Sequence, residues 1–368
     1  MDEVRHWLEL SLIPGVGPKT FFKLLDYFGS PQEALKAPTA ALRQVHELSG
    51  AVAEAVSAGA KKELENALRI IDQHGIHLIT YNSPDYPERL RTIHDPPPLL
   101  YVKGTICPED TNSISIVGSR RATHYGKMTA AKLAADLARM GITVISGLAY
   151  GVDAAAHRGA LEAGGRTVAV LGCGVDVIYP RANLRLFEHI PGAGALISEL
   201  PMGTQPDPGF FPMRNRIVSG LSLGTLVVEA PRKSGALITA RLALEQGREV
   251  FAVPGNIFSP YSEGCHSLIK DGAKLVENVY DIICEIERGI ANITLDKPQS
   301  ELPNAANVAL SVDEKKVFNL LSMVPIHIDE VCEQCDLTAS RTASALMTLE
   351  LKGLVQQLSG KNFIRRSR

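Results

Sequence analysis

The chain has 368 residues, enough for two or three domains with cores of their own, and its 45% hydrophobic and 21% charged content is ordinary for a globular protein. Lysine plus arginine number 38 against 40 aspartate plus glutamate, a net charge of −2 that excludes the overall basic balance usual in nucleic-acid binders. No apolar run approaches the ~20 residues that span a bilayer, and the start Met1-Asp2-Glu3-Val4-Arg5 has no basic stretch before an apolar block.

Six cysteines (Cys107, Cys173, Cys265, Cys284, Cys332 and Cys335) are too few and too scattered for a disulfide framework. Reduced thiols in a cytoplasmic protein with no membrane segment are the expectation.

Residues 1–76 are predicted to be wholly helical. Val4, Trp7-Leu8 and Leu10 form one apolar stripe, ended by Ile13-Pro14-Gly15-Val16-Gly17-Pro18. A second helix carries Phe21-Phe22 and Leu24-Leu25 and stops at Phe28-Gly29-Ser30-Pro31. Helix, Pro-Gly-x-Gly turn, helix resembles a helix-hairpin-helix (SAM-like) unit, whose hairpin amides can meet a phosphate. With 8 basic and 10 acidic residues in 1–76, a small interaction domain is the preferred reading. His77 to Tyr81 and Leu99 to Val102 then read as short strands, joined through the stiff connector Pro96-Pro97-Pro98.

The stretch from Ser113 to Gly255 organises the rest. Ser113 to Val117, Thr143 to Ser146, Thr167 to Leu171, Thr225 to Val228 and Glu249 to Val253 are β-rich runs separated by helically spaced segments. Alternation of this kind calls for a parallel sheet covered on both faces. Gly118-Ser119-Arg120, Ser146-Gly147, Gly172-Cys173-Gly174 and Ser234-Gly235 each come just after a strand's carboxyl end. Ligands bind at that edge in open α/β sheets, and glycine there lets backbone amides approach a phosphate. Arg120-Arg121, Arg181 with Arg185, Arg214 with Arg216, and Arg232-Lys233 fall in or beside the same loops. A core with 18 basic and 18 acidic residues over 106–290 thereby acquires one positive face.

Several candidate chemistries are weaker. Gly172-Cys173-Gly174 lies after the wrong strand for a dinucleotide fingerprint, so no nicotinamide cofactor is expected. Asp153 and His157 could form an acid–base pair, but no nucleophile is spaced to complete a triad, and a capped helix with a rim histidine is preferred. Adjacent Cys265 and His266 point apart. Phe210-Phe211 with Arg214 and Arg216 reads equally as a stacking platform for unpaired bases or as a staple whose arginines pair with Glu199 or Glu229. Pro231 to Leu237 makes a phosphate loop with two bases, but lacks the pattern of an ATP-hydrolysing loop.

Residues 291–308 read as a linker. Ser311-x-x-Glu314 is a capping box opening a helix, succeeded by helices from about Ile328 and Thr338 and a hairpin over Leu354 to Ile364: a winged helix spanning 309–368. Thr338 to Arg341 would face a major groove, but 8 basic and 7 acidic residues favour protein contact or support of the core over base reading. Cys332-x-x-Cys335 has no second ligand pair nearby, so no metal site is expected.

In order, Tyr86-Pro87-x-x-Leu90, Pro97 to Tyr101, Ile116 to Arg120, Ser146-Gly147-x-Ala149-x-Gly151-x-Asp153, Gly172-x-Gly174-x-Asp176-x-x-Tyr179-Pro180, Phe211-Pro212-x-Arg214-Asn215-Arg216, Ser234-Gly235-x-Leu237-Ile238-Thr239 and Val253-Pro254-Gly255 resemble the motif series of the DNA-processing protein A (DprA/Smf) family over nearly the full length. The resemblance implies an extended Rossmann-like core over 77–290, dimerising and carrying a basic pocket. It implies a non-enzymatic protein that binds and protects incoming single-stranded DNA and loads the RecA recombinase during natural transformation. Carried over by motif, Arg120 of the Gly-Ser-Arg loop leads as a phosphate contact, with Arg181 after Tyr179-Pro180 second. Arg214, Asn215 and Lys233 are supports, and Gly118, Ser119, Arg121, Gly147, Phe211, Ser234 and Gly235 complete the expected DNA-binding set. One rival is a nucleotide-processing enzyme related to the phosphoribohydrolases, using a glutamate near Glu229. Another is a nucleotide-sensing transcription regulator acting through the winged helix.

Overall fold

The structure, a computed structural model, describes residues 2–286, 310–322, 325–358 and 360–365; the expected linker over 291–308 lies outside them. The chain divides into two compact units, Met1–Ile293 and Thr294–Arg368.

Six helices open the first unit: α1 (Asp2–Leu12), α2 (Pro18–Phe28), α3 (Pro31–Lys36), α4 (Thr39–Leu42), α5 (Gly50–Ala58) and α6 (Lys61–His74). Pro18 occupies the first position of α2, where a missing N–H leaves no bond unmade. Trp7 stacks on Phe21 with ring centroids 5.0 Å apart. Leu8, from the same helix as Trp7, packs instead with Leu99 and Tyr101 of the sheet. The helices and the sheet therefore share a core.

The sheet has nine strands: β1 (His77–Thr80), β2 (Leu99–Gly104), β3 (Ser113–Val117), β4 (Thr143–Ser146), β5 (Thr167–Val170), β6 (Gly194–Ser198), β7 (Gly224–Val227), β8 (Glu249–Ala252) and β9 (Lys274–Leu275). Their order is β1-β2-β6-β5-β4-β3-β7-β8-β9, antiparallel between β1 and β2 and between β2 and β6 and parallel elsewhere. The five expected core strands are β3, β4, β5, β7 and β8. The sequence reading passes over β6, because Gly194-Ala195-Leu196-Ile197-Ser198 is short, rich in small residues and placed just after Pro191-Gly192.

The remaining helices of this unit are α7 (Glu88–Arg91), α8 (His124–Arg139), α9 (Val152–Glu162), α10 (Leu184–His189), α11 (Phe210–Leu221), α12 (Gly235–Glu245), α13 (Glu263–Lys270) and α14 (Val279–Ile286). Period-two alternation sorts β3 between them. Ile114 and Ile116 pack with α8, α9 and α14, while Val117 packs with α11 and α12 on the other face. Ser115, buried on that second face, is satisfied by the Thr225 hydroxyl at 2.7 Å. From β3 the chain steps outward through β4, β5 and β6, then returns to lay β7 on the other side of β3. The topological switch point therefore lies between β3 and β7, where ligands bind beyond the carboxyl ends of the strands.

One buried ion network ties α11 to this sheet. Arg216 makes a two-pronged contact with Glu199, Nη1 to Oε1 at 2.8 Å and Nη2 to Oε2 at 2.6 Å, and its Nε meets the Asp95 carboxylate at 3.0 Å. Of the two roles open to this arginine, it takes the internal one, with Glu199 as partner.

The second unit packs α15 (Val312–Leu320), α16 (Ile328–Cys335) and α17 (Ala339–Leu351) against a three-stranded sheet of β10 (Ile326–His327), β11 (Val355–Leu358) and β12 (Asn362–Arg365). The capping box is present: Glu314 N–H donates to Ser311 Oγ and Ser311 N–H to Glu314 Oε2. Arg341, which would have read bases, is held by Asp313 through Nε at 2.8 Å and Nη2 at 2.7 Å.

Removing Arg216 leaves Glu199 buried and uncompensated. Arg216→Ala should lower unfolding free energy by about 3–5 kcal/mol in urea titration, and an apolar pair, Arg216→Met with Glu199→Leu, should recover most of that loss.

Candidate functional site

At the switch point an open cleft of about 830 Å³ lies between the loops at the ends of β3, β7 and β8 and the start of α11. Two buried braces shape it. The first is Glu229, 4% exposed, just past β7. Its Oε2 accepts from Thr123 N–H at 2.8 Å, its Oε1 from the Thr123 hydroxyl at 2.6 Å, and its backbone oxygen from Ser119 N–H at 2.6 Å. Thr123 in turn caps α8 by accepting from Gly126 N–H. A Cβ on Gly118 would stand 2.5 Å from Val152 Cγ2 and 2.9 Å from the Glu229 oxygen, so only glycine fits there. Glu229 thus locks the whole Gly118–Thr123 loop.

The second brace is Arg214, 5% exposed. Its Nη1 donates to Gly147 O at 2.6 Å and to Val170 O, joining the ends of β4 and β5. A Cβ on Gly147 would collide with the guanidinium at 2.3 Å. Asp153 faces the same loop, its Oδ2 accepting from Gly147 N–H at 3.2 Å and Ala149 N–H at 3.3 Å. Burial pushes the Asp153 carboxyl up, against the pull of Arg214, and burial likewise lowers Arg214.

Arg214 braces the floor of the cleft through strand-end carbonyls. Two sequence expectations are corrected. Asp153 caps the preceding loop rather than its own helix. His157 is not on the rim: it is 0% exposed, with Nδ1 2.7 Å from the Thr167 hydroxyl. Burial and the nearby Arg214 hold its pKa down at about 3, so it stays neutral. The amides of Gly147 and Ser119 are engaged by Asp153 and Glu229.

The other expected residues stand around the cleft. Gly118, Ser119, Arg120, Arg121, Phe211, Asn215, Lys233, Ser234 and Gly235 all line the cleft, and the buried Arg214 forms part of its floor. Gly147 borders a smaller adjoining recess; Arg181 borders neither. Arg120, Arg121, Arg181, Arg232 and Lys233 are exposed and, among the described residues, none pairs with a carboxylate. Arg120 lies over the Phe211 ring, 5.0 Å from its centroid, and Phe211 packs at 5.6 Å on Tyr179. Phe211 is therefore already sandwiched and serves to aim Arg120. Ser234 caps α12 by accepting from Ala236 N–H, which points the positive end of that helix at the cleft. Tyr179, Pro206, Pro208, Pro260 and Tyr261 also line it. Sequence reasoning singled out none of these, although Tyr179 stood within a recognised motif.

The adjacent pair Cys265 and His266 points apart as expected: the thiol, pushed up to about 12 by burial, reaches Val227 O, and the ring meets Gly255. Among the described residues no three His, Cys, Asp or Glu side chains gather as a metal site, and no helix is long and apolar enough to cross a membrane.

A family profile described as DNA recombination-mediator protein A matches residues 77–287. The chain belongs to this family. Residues 1–65 match the DprA-like N-terminal HHH domain and residues 301–361 the DprA winged helix domain. Protein Smf of Synechocystis sp. is 33% identical over 398 aligned positions that cover 99% of both chains. The X-ray structure of DNA processing protein A from Streptococcus pneumoniae is 34% identical, with a TM-score of 0.69 over 76% of this chain and 97% of that one. DNA processing protein A from Helicobacter pylori, whose structure concerns its single-stranded DNA binding mode, is 31% identical with a TM-score of 0.53 over 58% of this chain and 98% of that one.

Each buried group has a measurable consequence for stability. Arg214→Ala should cost about 3–5 kcal/mol in urea titration, since it strands two carbonyls and the buried Asp153. His157 has a folded pKa far below its unfolded value, so its contribution is present above about pH 6.5 and is lost as pH falls toward 3. Between those limits stability should drop by on the order of 1 kcal/mol per pH unit more in the parent than in His157→Gln, measured by urea midpoints across pH.

Proposed function

We propose that the chain is a non-enzymatic mediator that binds single-stranded DNA in the switch-point cleft, protects it and loads a RecA-type recombinase onto it. The observation that carries this reading is the set of exposed cations around the cleft that, among the described residues, have no acidic partner: Arg120, Arg121, Lys233 and the neighbouring Arg232. Unpaired cations on a preorganised rim lose little on meeting phosphates and release the counterions of the strand. Membership of the family and the single-stranded DNA binding mode of the Helicobacter pylori protein point the same way.

Support for binding rather than hydrolysis comes from Glu229. A catalytic glutamate needs a free carboxylate at the cleft, whereas both oxygens here are held by Thr123. A homodimer through the core is part of the proposal. Leu275 of the edge strand β9 is 40% exposed and Leu244 of α12 60% exposed, so the core leaves apolar side chains uncovered.

Fluorescence anisotropy with a labelled oligo-dT of about 35 nucleotides, titrated over salt, tests the reading. Affinity should fall steeply with salt and exceed that for a matched duplex. Arg120→Ala should weaken binding by roughly tenfold and flatten the log–log salt slope by about 0.7. Equal binding of duplex and single strand, or an unchanged slope, would overturn the assignment of the cleft.

A further inference from the structure

We propose that the groove between α9 and α10 is a second phosphate track, receiving the stretch of single strand that leaves the cleft. This rests on the single-strand reading above and extends it beyond the rim. The groove measures about 640 Å³ and is walled by Arg158, Leu161 and Glu162 of α9 and by Asn183, Arg185 and His189 on the other side. Arg158 and Arg185 are exposed, and among the described residues neither lies within ion-pairing distance of a carboxylate. Arg158 and Glu162 are four apart on one helix yet do not pair; arginine ahead of glutamate is the less favourable order for such a pair. Two guanidinium groups against one carboxylate leave the groove positive.

Continuity with the cleft comes from a single run of chain. Tyr179 and Pro180 border the cleft's recess, the exposed Arg181 comes next, and Ala182 and Asn183 wall the groove. Asn183 Nδ2 donates to Leu148 O at 2.9 Å and Ala149 O at 3.2 Å, pinning the start of α10 to the loop after β4. The two sites are thus held at one spacing. A polymer with regular phosphates can engage both, whereas a mononucleotide or a very short oligomer reaches the cleft alone.

The test is the double variant Arg158→Ala/Arg185→Ala in the full chain, with Arg158→Lys/Arg185→Lys as the charge-keeping control. Anisotropy is measured on oligo-dT of about 6 and about 35 nucleotides and on a matched duplex, at several salt concentrations. The long oligomer should bind roughly tenfold more weakly to the alanine variant, with a log–log salt slope flatter by about 1.4 for two lost phosphate contacts. The short oligomer should bind as to the parent, and the lysine variant should regain most of the loss. An equal loss on both lengths, or none on the long one, overturns the track while leaving the cleft standing. A loss confined to duplex assigns the groove to another partner and also overturns it. If the parent binds neither oligomer, the single-strand reading falls and takes the track with it.

Discussion

The hold of Glu229 on the loop after β3 is the constraint on which the rest of this site depends. One side chain, buried where β7 ends, binds the amide and hydroxyl of Thr123, and its own carbonyl binds Ser119. The crevice of an open α/β sheet exists because adjacent loops part at the switch point. Parted loops have nothing between them to hold their shape, so Glu229 bridges the gap from beneath. Arg214 does the same for β4 and β5, from the opposite charge. Both ions are buried, and each is surrounded by polar partners that make its burial tolerable.

That arrangement divides the arginines into two populations. Arg214 and Arg216 are interior and hydrogen-bonded, whereas Arg120, Arg121 and Arg232, like Lys233, stand outside and, among the described residues, pair with no carboxylate. They differ in what their burial requires: an interior guanidinium must satisfy its donors within the protein, and an exterior one can leave them to water until an anion arrives. A net charge of −2 is compatible with an anion site for this reason. Glu199, Asp153 and Glu229 are buried and engaged within the protein, and the half-buried Asp95 is held by Arg216. The bases at the rim are left uncancelled.

The division also explains what was legible in the sequence. Strands β3, β4, β5, β7 and β8 were readable because each is a short, mostly apolar run set between helically spaced segments, and the glycine- and arginine-bearing loops that follow them read as a phosphate-facing rim. β6 was not, since a strand buried on both faces with small residues has neither alternation nor bulk. For Arg120 and Lys233 the sequence position beside a glycine loop indicated the rim correctly. For His157 the same kind of position misled, and it did not tell that Arg214 turns inward. Local spacing says that a residue lies near a strand end, but which way its side chain turns depends on Gly147, Val170 and Thr167, residues distant in the chain.

A nucleotide-binding Rossmann site holds a single pyrophosphate on backbone amides at a helix N-terminus, a geometry that fits one rigid ligand. Here the amides of Ser119 and Gly147 are spent on Glu229 and Asp153. On the proposed reading, capture of an anion falls mainly to long exposed side chains around a wide cleft, assisted by the first amides of α12. Such side chains re-aim at small cost, a property suited to phosphates of variable spacing. Phe211 limits that freedom for Arg120 alone, holding one cation in place while its neighbours adapt. A fold built for one small ligand thereby becomes suited, on the proposed reading, to a flexible polymer read by charge and spacing rather than by base.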